Sequence, residues 1–115
     1  MSKGPLAIHL EQPHSVTAII DTGAQTSVLN PAVVKQLQLK PVGKTSIVTP
    51  STTIPVECSR YHINVYFPED YVVENIFAVE APMGGQPYQC LIGRDVLRLG
   101  KLRYDGTSNE FTLEF

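Results

Sequence analysis

Short runs of apolar and β-branched residues recur along this chain, each cut off by a cluster of turn-forming residues, and that rhythm restricts it to a mostly β fold. Leu6–Glu11 alternates Leu6, Ile8 and Leu10 against Ala7, His9 and Glu11, as a half-buried strand does. Gln12-Pro13-His14-Ser15 is a turn cluster, and Val16–Asp21 returns as a more continuously apolar strand, so the two read as a hairpin. Ser27-Val28-Leu29 is a short extended piece. Asn30-Pro31 starts a helix: the Asn side chain caps, and proline takes the first position, where no N–H is needed. That helix, Ala32–Leu37, presents Val33, Val34 and Leu37 on one face, and Pro41 and Gly43 end the region. Thr45–Thr49 and Thr53–Cys58 flank Pro50-Ser51-Thr52 as a protruding hairpin, with Pro50 and Pro55 marking exposed edges. Tyr61–Phe67 and Val72–Val79 are strands around the turn Pro68-Glu69-Asp70, and Pro82-Met83-Gly84-Gly85 is a loop. Gln89–Ile92 is a short buried strand that ends at Gly93, and Arg94–Leu99 is a short helix stopped by Gly100. Leu102–Asp105 and Phe111–Phe115 form a last hairpin. Many short strands with one or two short helices pack most naturally as a small β-barrel, closed or sandwiched.

Composition removes several classes of function. The 115 residues fit one domain, spanning 1–115, and a domain this small gains from partner contact. The formal net charge is −2 and no Lys/Arg cluster exceeds two residues, so a nucleic-acid groove has no basic footprint here. Cys58 and Cys90 lie in no CxxC pair and His9, His14 and His62 are scattered, which argues against a metal site. The two cysteines read as small buried thiols, with a disulfide left open. No apolar h-region follows Met1 and no run approaches the ~18 apolar residues of a membrane span. The chain is therefore expected to be soluble, and cytoplasmic if complete; it could equally be cut from a longer precursor.

The chemistry concentrates in Ile19-Ile20-Asp21-Thr22-Gly23-Ala24. An ionisable Asp at the end of a buried apolar strand is an expensive placement. Gly23 signals a tight turn or a backbone closely approached, and Thr22 sets a hydroxyl beside the acid. Read alone, the segment could be an Asx-type turn, capped by Asp and completed by Gly. About seventy residues later comes Cys90-Leu91-Ile92-Gly93-Arg94-Asp95, again two apolar residues, a glycine and a short helix. Read alone, that is a strand-to-helix turn with Arg94 in solvent.

Together the two elements resemble the retropepsin family, the aspartic proteases of retroviruses, retrotransposons and their cellular and bacterial relatives. That family carries apolar-apolar-Asp-Thr/Ser-Gly-Ala/Ser, then a hairpin flap, then apolar-apolar-Gly-Arg-Asp/Asn. Here these are Ile19–Ala24, the Thr45–Cys58 hairpin and Leu91–Asp95, in that order. The short Asp motif alone arises by chance in about one percent of chains this long, so the ordered pair of elements carries the resemblance.

The resemblance implies an all-β fold: a small closed barrel with a flap hairpin and one or two short helices. It implies an aspartic endopeptidase acting on peptide or protein substrates as a homodimer, with no cofactor or metal and no nucleic-acid or membrane partner. One chain holds one motif, so the second carboxylate comes from a second Asp21 across a two-fold axis. Asp21, Thr22 and Gly23 are the implied catalytic element. Gly23, Ala24, Gln25 and the hairpin tip Pro50, Ser51 and Thr52 are the implied substrate contacts. Leu91, Ile92, Gly93, Arg94 and Asp95 are the implied structural support. Ala24 cannot donate the hydrogen bond that a serine there could, so a mildly acidic optimum is expected. Two departures stand out: the hairpin tip has no glycine, and Gln25 stands where many viral members carry an acid, which removes a direct Arg94–carboxylate brace. A catalytically weak dimerisation or peptide-binding module is the alternative of a different class. A β-barrel binding nucleic acid or oligosaccharide leaves Asp21 and Gly93-Arg94-Asp95 without a role.

Overall fold

The structure, a computed structural model, describes residues 6–11, 14–47 and 54–115. The alternating stretch forms β1 (Leu6–Glu11), which pairs antiparallel with β2 (His14–Ile20). β2 starts at His14, inside the expected turn cluster, because its ladder with β1 runs on to Glu11↔His14. The next elements are β3 (Val28–Leu29), α1 (Pro31–Gln36), β4 (Gly43–Ile47) and β5 (Val56–Phe67). A 3-10 turn at Pro68–Asp70 leads to β6 (Tyr71–Glu80), then β7 (Cys90–Ile92), α2 (Arg94–Leu97), β8 (Lys101–Asp105) and β9 (Glu110–Glu114).

The large sheet runs β1-β2-β7-β3-β6-β5-β4, and an additional β1–β5 pairing at His9↔Tyr66 closes six of its strands into a barrel. The expected closed barrel with two short helices is what the chain forms. β4 stands outside the ring, paired only to the first part of β5, from Gly43↔Arg60 to Ile47↔Val56. This is the expected protruding hairpin; its tip, Pro50, Ser51 and Thr52, lies outside the described residues. β8 and β9 form a separate antiparallel pair.

Core and exposed faces follow the sequence period. Ile8, Leu10, Ala18, Leu29, Ile63, Val65, Cys90, Ile92 and Val96 fill the interior at 1% exposure or less. Each buried Leu, Ile or Val contributes about 1.5–3 kcal/mol relative to exposure. α1 begins as expected: Asn30 Oδ1 accepts from Ala32 N at 3.0 Å with Pro31 in the first turn. It buries Val33 and Val34, with Leu37 packed at the edge of the core. The helix stops before Pro41, because Gln38 turns left-handed (φ 54°) and Leu39 N donates back to Val34 O at 3.1 Å.

Two expectations are corrected. Thr53–Cys58 and Tyr61–Phe67 were expected as separate strands, but Val56–Phe67 is one strand of 12 residues. Its two halves have different partners, β4 below Arg60 and β6 above it, so its exposure pattern changes midway and mimics a break. The second helix, expected over Arg94–Leu99 and stopped by Gly100, spans only Arg94–Leu97 with Arg98 as its C-cap, and Gly100 has no left-handed φ. A Cβ on Gly100 would instead collide with the Glu114 carbonyl, so glycine is needed where the chain leaves α2 against β9.

Candidate active site

β2 ends at Ile20 because the backbone turns at Asp21. The Asp21 N–H donates to Ile92 O (3.0 Å), which ties the end of β2 to the end of β7. Asp21 Oδ1 accepts from Gly23 N at 2.9 Å, and Ala24 N donates to Asp21 O at 3.2 Å. The local geometry is thus the Asx-type turn that the short motif allows. A Cβ on Gly23 would stand 3.3 Å from Asp21 Oδ1, close enough to press on the carboxylate by a few tenths of an ångström. Asp21 is half-buried, while Thr22 and Gly23 are exposed at the crest of the turn.

The second motif lies directly against the first. Gly93 is buried, and a Cβ on it would fall 2.8–2.9 Å from the backbone of Ala24 and Thr26. Only a glycine lets the two segments approach so closely. Arg94 N donates to Ala24 O (2.8 Å) and Asp95 N to Gln25 O (3.2 Å). The Asp95 carboxylate accepts from Ser27 N through Oδ2 (2.9 Å), and from Ser27 Oγ (2.8 Å) and Val96 N (2.9 Å) through Oδ1. Ser27 Oγ in turn accepts from Gly93 N at 3.1 Å. The segment from Asp21 to Ser27 is therefore held on one side by its own turn and on the other by the Gly93–Asp95 corner.

Sequence reading missed Ser27, the buried polar residue of this site at 0% exposure. A serine at the start of an extended piece carries no distinguishing local signal; only its meeting with Asp95, 68 residues away, gives it a role. Arg94 contributes its backbone, and its side chain lies on the exposed surface. Asp95 is committed to Ser27 and Val96, so it supplies no second carboxylate to Asp21.

Strand register sets an apolar strip beside the turn. Ile19 pairs with Leu91, and Leu91 with Val28, so these three half-buried side chains share one face. Ala18, Cys90 and Leu29, one position off in each strand, share the opposite, core-facing side. Ile19, Ile20 and Thr22 also border a cleft of about 390 Å³ whose far wall is Leu102, Tyr104, Asn109 and Phe111 of the β8–β9 hairpin. Both cysteines are free and buried. Burial, and secondarily the Asp95 charge, push the Cys90 thiol up to about 12 from the usual 9, so it stays protonated at neutral pH and is no nucleophile.

Comparison with known proteins agrees with this architecture. The fold is similar to a retropepsin-like aspartic protease from Rickettsia conorii (TM-score 0.64, 16% identity, 88% of this chain and 75% of that one). It is similar to the retroviral protease-like domain of Ddi1 from Leishmania major (TM-score 0.59, 16% identity, 98% and 89%). It is also similar to the EIAV protease solved with the inhibitor HBY-793 (TM-score 0.60, 20% identity, 84% and 86%). No curated protein matches in sequence. A family model does match, over residues 9–99, a span that contains the Asp21 turn, the β4–β5 hairpin and the Gly93–Asp95 corner. The chain belongs to the gag-polyprotein aspartyl protease family, and its fold is that of the retropepsin-like proteases.

Proposed function

We propose that residues 1–115 act as one domain, an aspartic endopeptidase whose active form is a symmetric pair of copies. The observation that carries this reading is the Asp21 turn: a carboxylate at the end of a barrel strand, fixed by Gly23 N at 2.9 Å and braced from behind by the Gly93–Asp95 corner. Such a carboxylate is preorganised and accessible, but alone it lacks a partner acid. An isologous pair places Asp21 against Asp21 on the two-fold axis.

Two carboxylates that close cannot both ionise, so the pair holds one proton, as aspartic-protease dyads generally do. The ionised Asp21 takes a proton from a water bound between the two. The protonated Asp21 gives its proton to the scissile carbonyl oxygen as the water oxygen attacks the carbon. The tetrahedral diol collapses as the nitrogen receives a proton from one carboxyl of the dyad and a diol hydroxyl gives its proton to the other carboxylate, so that the C–N bond breaks and the dyad again holds one proton. Thr22, exposed on the turn, would bond across the axis. The Gly23 carbonyl, with Ala24 and Gln25, would hold the peptide backbone. The β4–β5 hairpin, including Pro50, Ser51 and Thr52, would close as a flap over an extended substrate and exclude bulk water. The strip Ile19, Leu91 and Val28 favours apolar side chains next to the cleaved bond.

A second reading, a peptide-binding or dimerising module with weak catalysis, is kept by the glycine-free tip. Mass-spectrometric cleavage profiling of a diverse peptide mixture from pH 4 to 7, wild type against Asp21→Asn, decides between them. Internal cleavage by wild type that vanishes in the variant is expected. An intact mixture at concentrations where the protein is dimeric would transfer the argument to the binding module.

A further inference from the structure

The hairpin of β4 and β5 joins the barrel at a single position. From Val56 to Arg60, β5 pairs with β4; from Arg60 onward it pairs with β6. Arg60 is the residue common to both ladders, opposite Gly43 on one side and Val79 on the other. Along β5, a tilt of the hairpin relative to the barrel passes through this residue.

Its side chain is placed accordingly. The guanidinium lies against Gly43, where a Cβ would stand 3.3 Å from Nη2, 3.6 Å from Nε and 3.9 Å from Cζ. Toward the barrel, Arg60 Cζ sits 5.0 Å from the ring centroid of Phe77, within range of a cation–π contact. Phe77 is 48% exposed, unusual for a phenylalanine, and also carries His62 on its ring at 5.1 Å. Arg60 Nε is buried without a hydrogen-bond partner among the described residues. A buried donor left unpaired calls for an explanation. Packing of the planar group on Gly43 and Phe77 is what holds it there. The Arg60 carbonyl closes the same junction by accepting from Val42 N at 2.8 Å. The Lys44–Glu57 ion pair farther up the hairpin is exposed and adds little.

We propose that Arg60 is the hinge brace of the hairpin: its guanidinium, bridging Gly43 to Phe77, sets the angle at which β4 and the start of β5 leave the barrel. Its consequence for peptide affinity rests on the protease reading above. Arg60 is a positioning residue and touches no reacting group.

The test combines hydrogen exchange by mass spectrometry with steady-state cleavage of a peptide found by the profiling experiment. Arg60→Met keeps the length and loses the flat cation, Phe77→Leu loses the ring face, and Gly43→Ala crowds the guanidinium from the hairpin side. Each should speed exchange across the hairpin by about three- to tenfold while the exchange of β2 and β7 is unchanged. KM should rise by a similar factor with kcat within about twofold. Phe77→Trp should stay close to wild type, and Arg60→Lys, whose ammonium cannot lie flat, should not rescue. Unchanged hairpin exchange in Arg60→Met overturns the proposal. So does equal acceleration of hairpin and barrel, which would make Arg60 a general packing residue. Exchange that responds while KM does not, in a wild type that cleaves, overturns the link to peptide binding. Exchange that responds in a wild type that cleaves nothing supports the hinge and removes the protease reading.

Discussion

Replacing Ser27 and Asp95, singly and together, tests how the Asp21 turn is held. Ser27 is fully buried, and its hydroxyl both donates to Asp95 Oδ1 (2.8 Å) and accepts from Gly93 N (3.1 Å). Ser27→Ala removes both bonds and leaves the Gly93 N–H buried without its acceptor, at about 2 kcal/mol. Asp95→Asn keeps the shape but replaces one carboxylate oxygen with an NH₂. Either orientation sets that NH₂ against a donor, Ser27 N on one side or Val96 N on the other. The expected loss is again about 2 kcal/mol. The two residues share the Oγ–Oδ1 bond, so the double variant should lose less than the sum, by about 1 kcal/mol. Urea unfolding at one fixed protein concentration, with unchanged m-values, measures all four corners. Additivity within about 0.3 kcal/mol would refute the reasoning, since it would mean that the two side chains act independently.

Three further outcomes are expected. Gly93→Ala forces a Cβ against backbone atoms at 2.8–2.9 Å, none of which can swing aside, and should lower stability by about 3 kcal/mol in thermal or urea unfolding. The Cys90 thiol is raised from 9.0 to about 12 in the folded state, so above pH 9 the unfolded chain loses its proton first. Stability from this group is full below pH 9 and falls as pH rises toward 12; wild type should lose about 1 kcal/mol between pH 9 and 10, and Cys90→Ala should lack that slope. Phe115 stacks on Tyr71 at 4.1 Å and meets Phe67 at 5.0 Å, so Phe115→Ala should weaken the docking of the last hairpin by about 1–2 kcal/mol, read as a lower Tm.

Local signals were legible where one residue decides the local structure. Asn30-Pro31 announced α1, and the alternation of Leu6–Glu11 gave β1 its observed limits. Both motifs that meet at the site were also visible, because a glycine after an apolar run is a local mark. Partner choice was not legible. Nothing in Ser59 or Arg60 says that β5 changes neighbours there, so the strand read as two. Nothing in Cys90–Ile92 says that it inserts between β2 and β3, since ladder partners are chosen by the whole sheet. Gly100 was visible as the stop of the second helix, but the chain it must accommodate, at Glu114, is remote from that helix. Ser27 stayed hidden for the same cause.

The insertion of β7 between β2 and β3 also orders events in time. β2 can pair with β1 as soon as both are made, but its other edge waits for Cys90–Ile92, 72 residues beyond Ala18. Contacts of such long sequence separation form late and slow the folding of small domains. The Asp21 N–H has no partner of its own until Ile92 arrives, and the Ser27 N–H has none until Asp95 does. During synthesis the Asp21 turn has only its local bonds, from Gly23 N and Ala24 N, and gains its outer bracing last, when the Ile92–Asp95 stretch has been made.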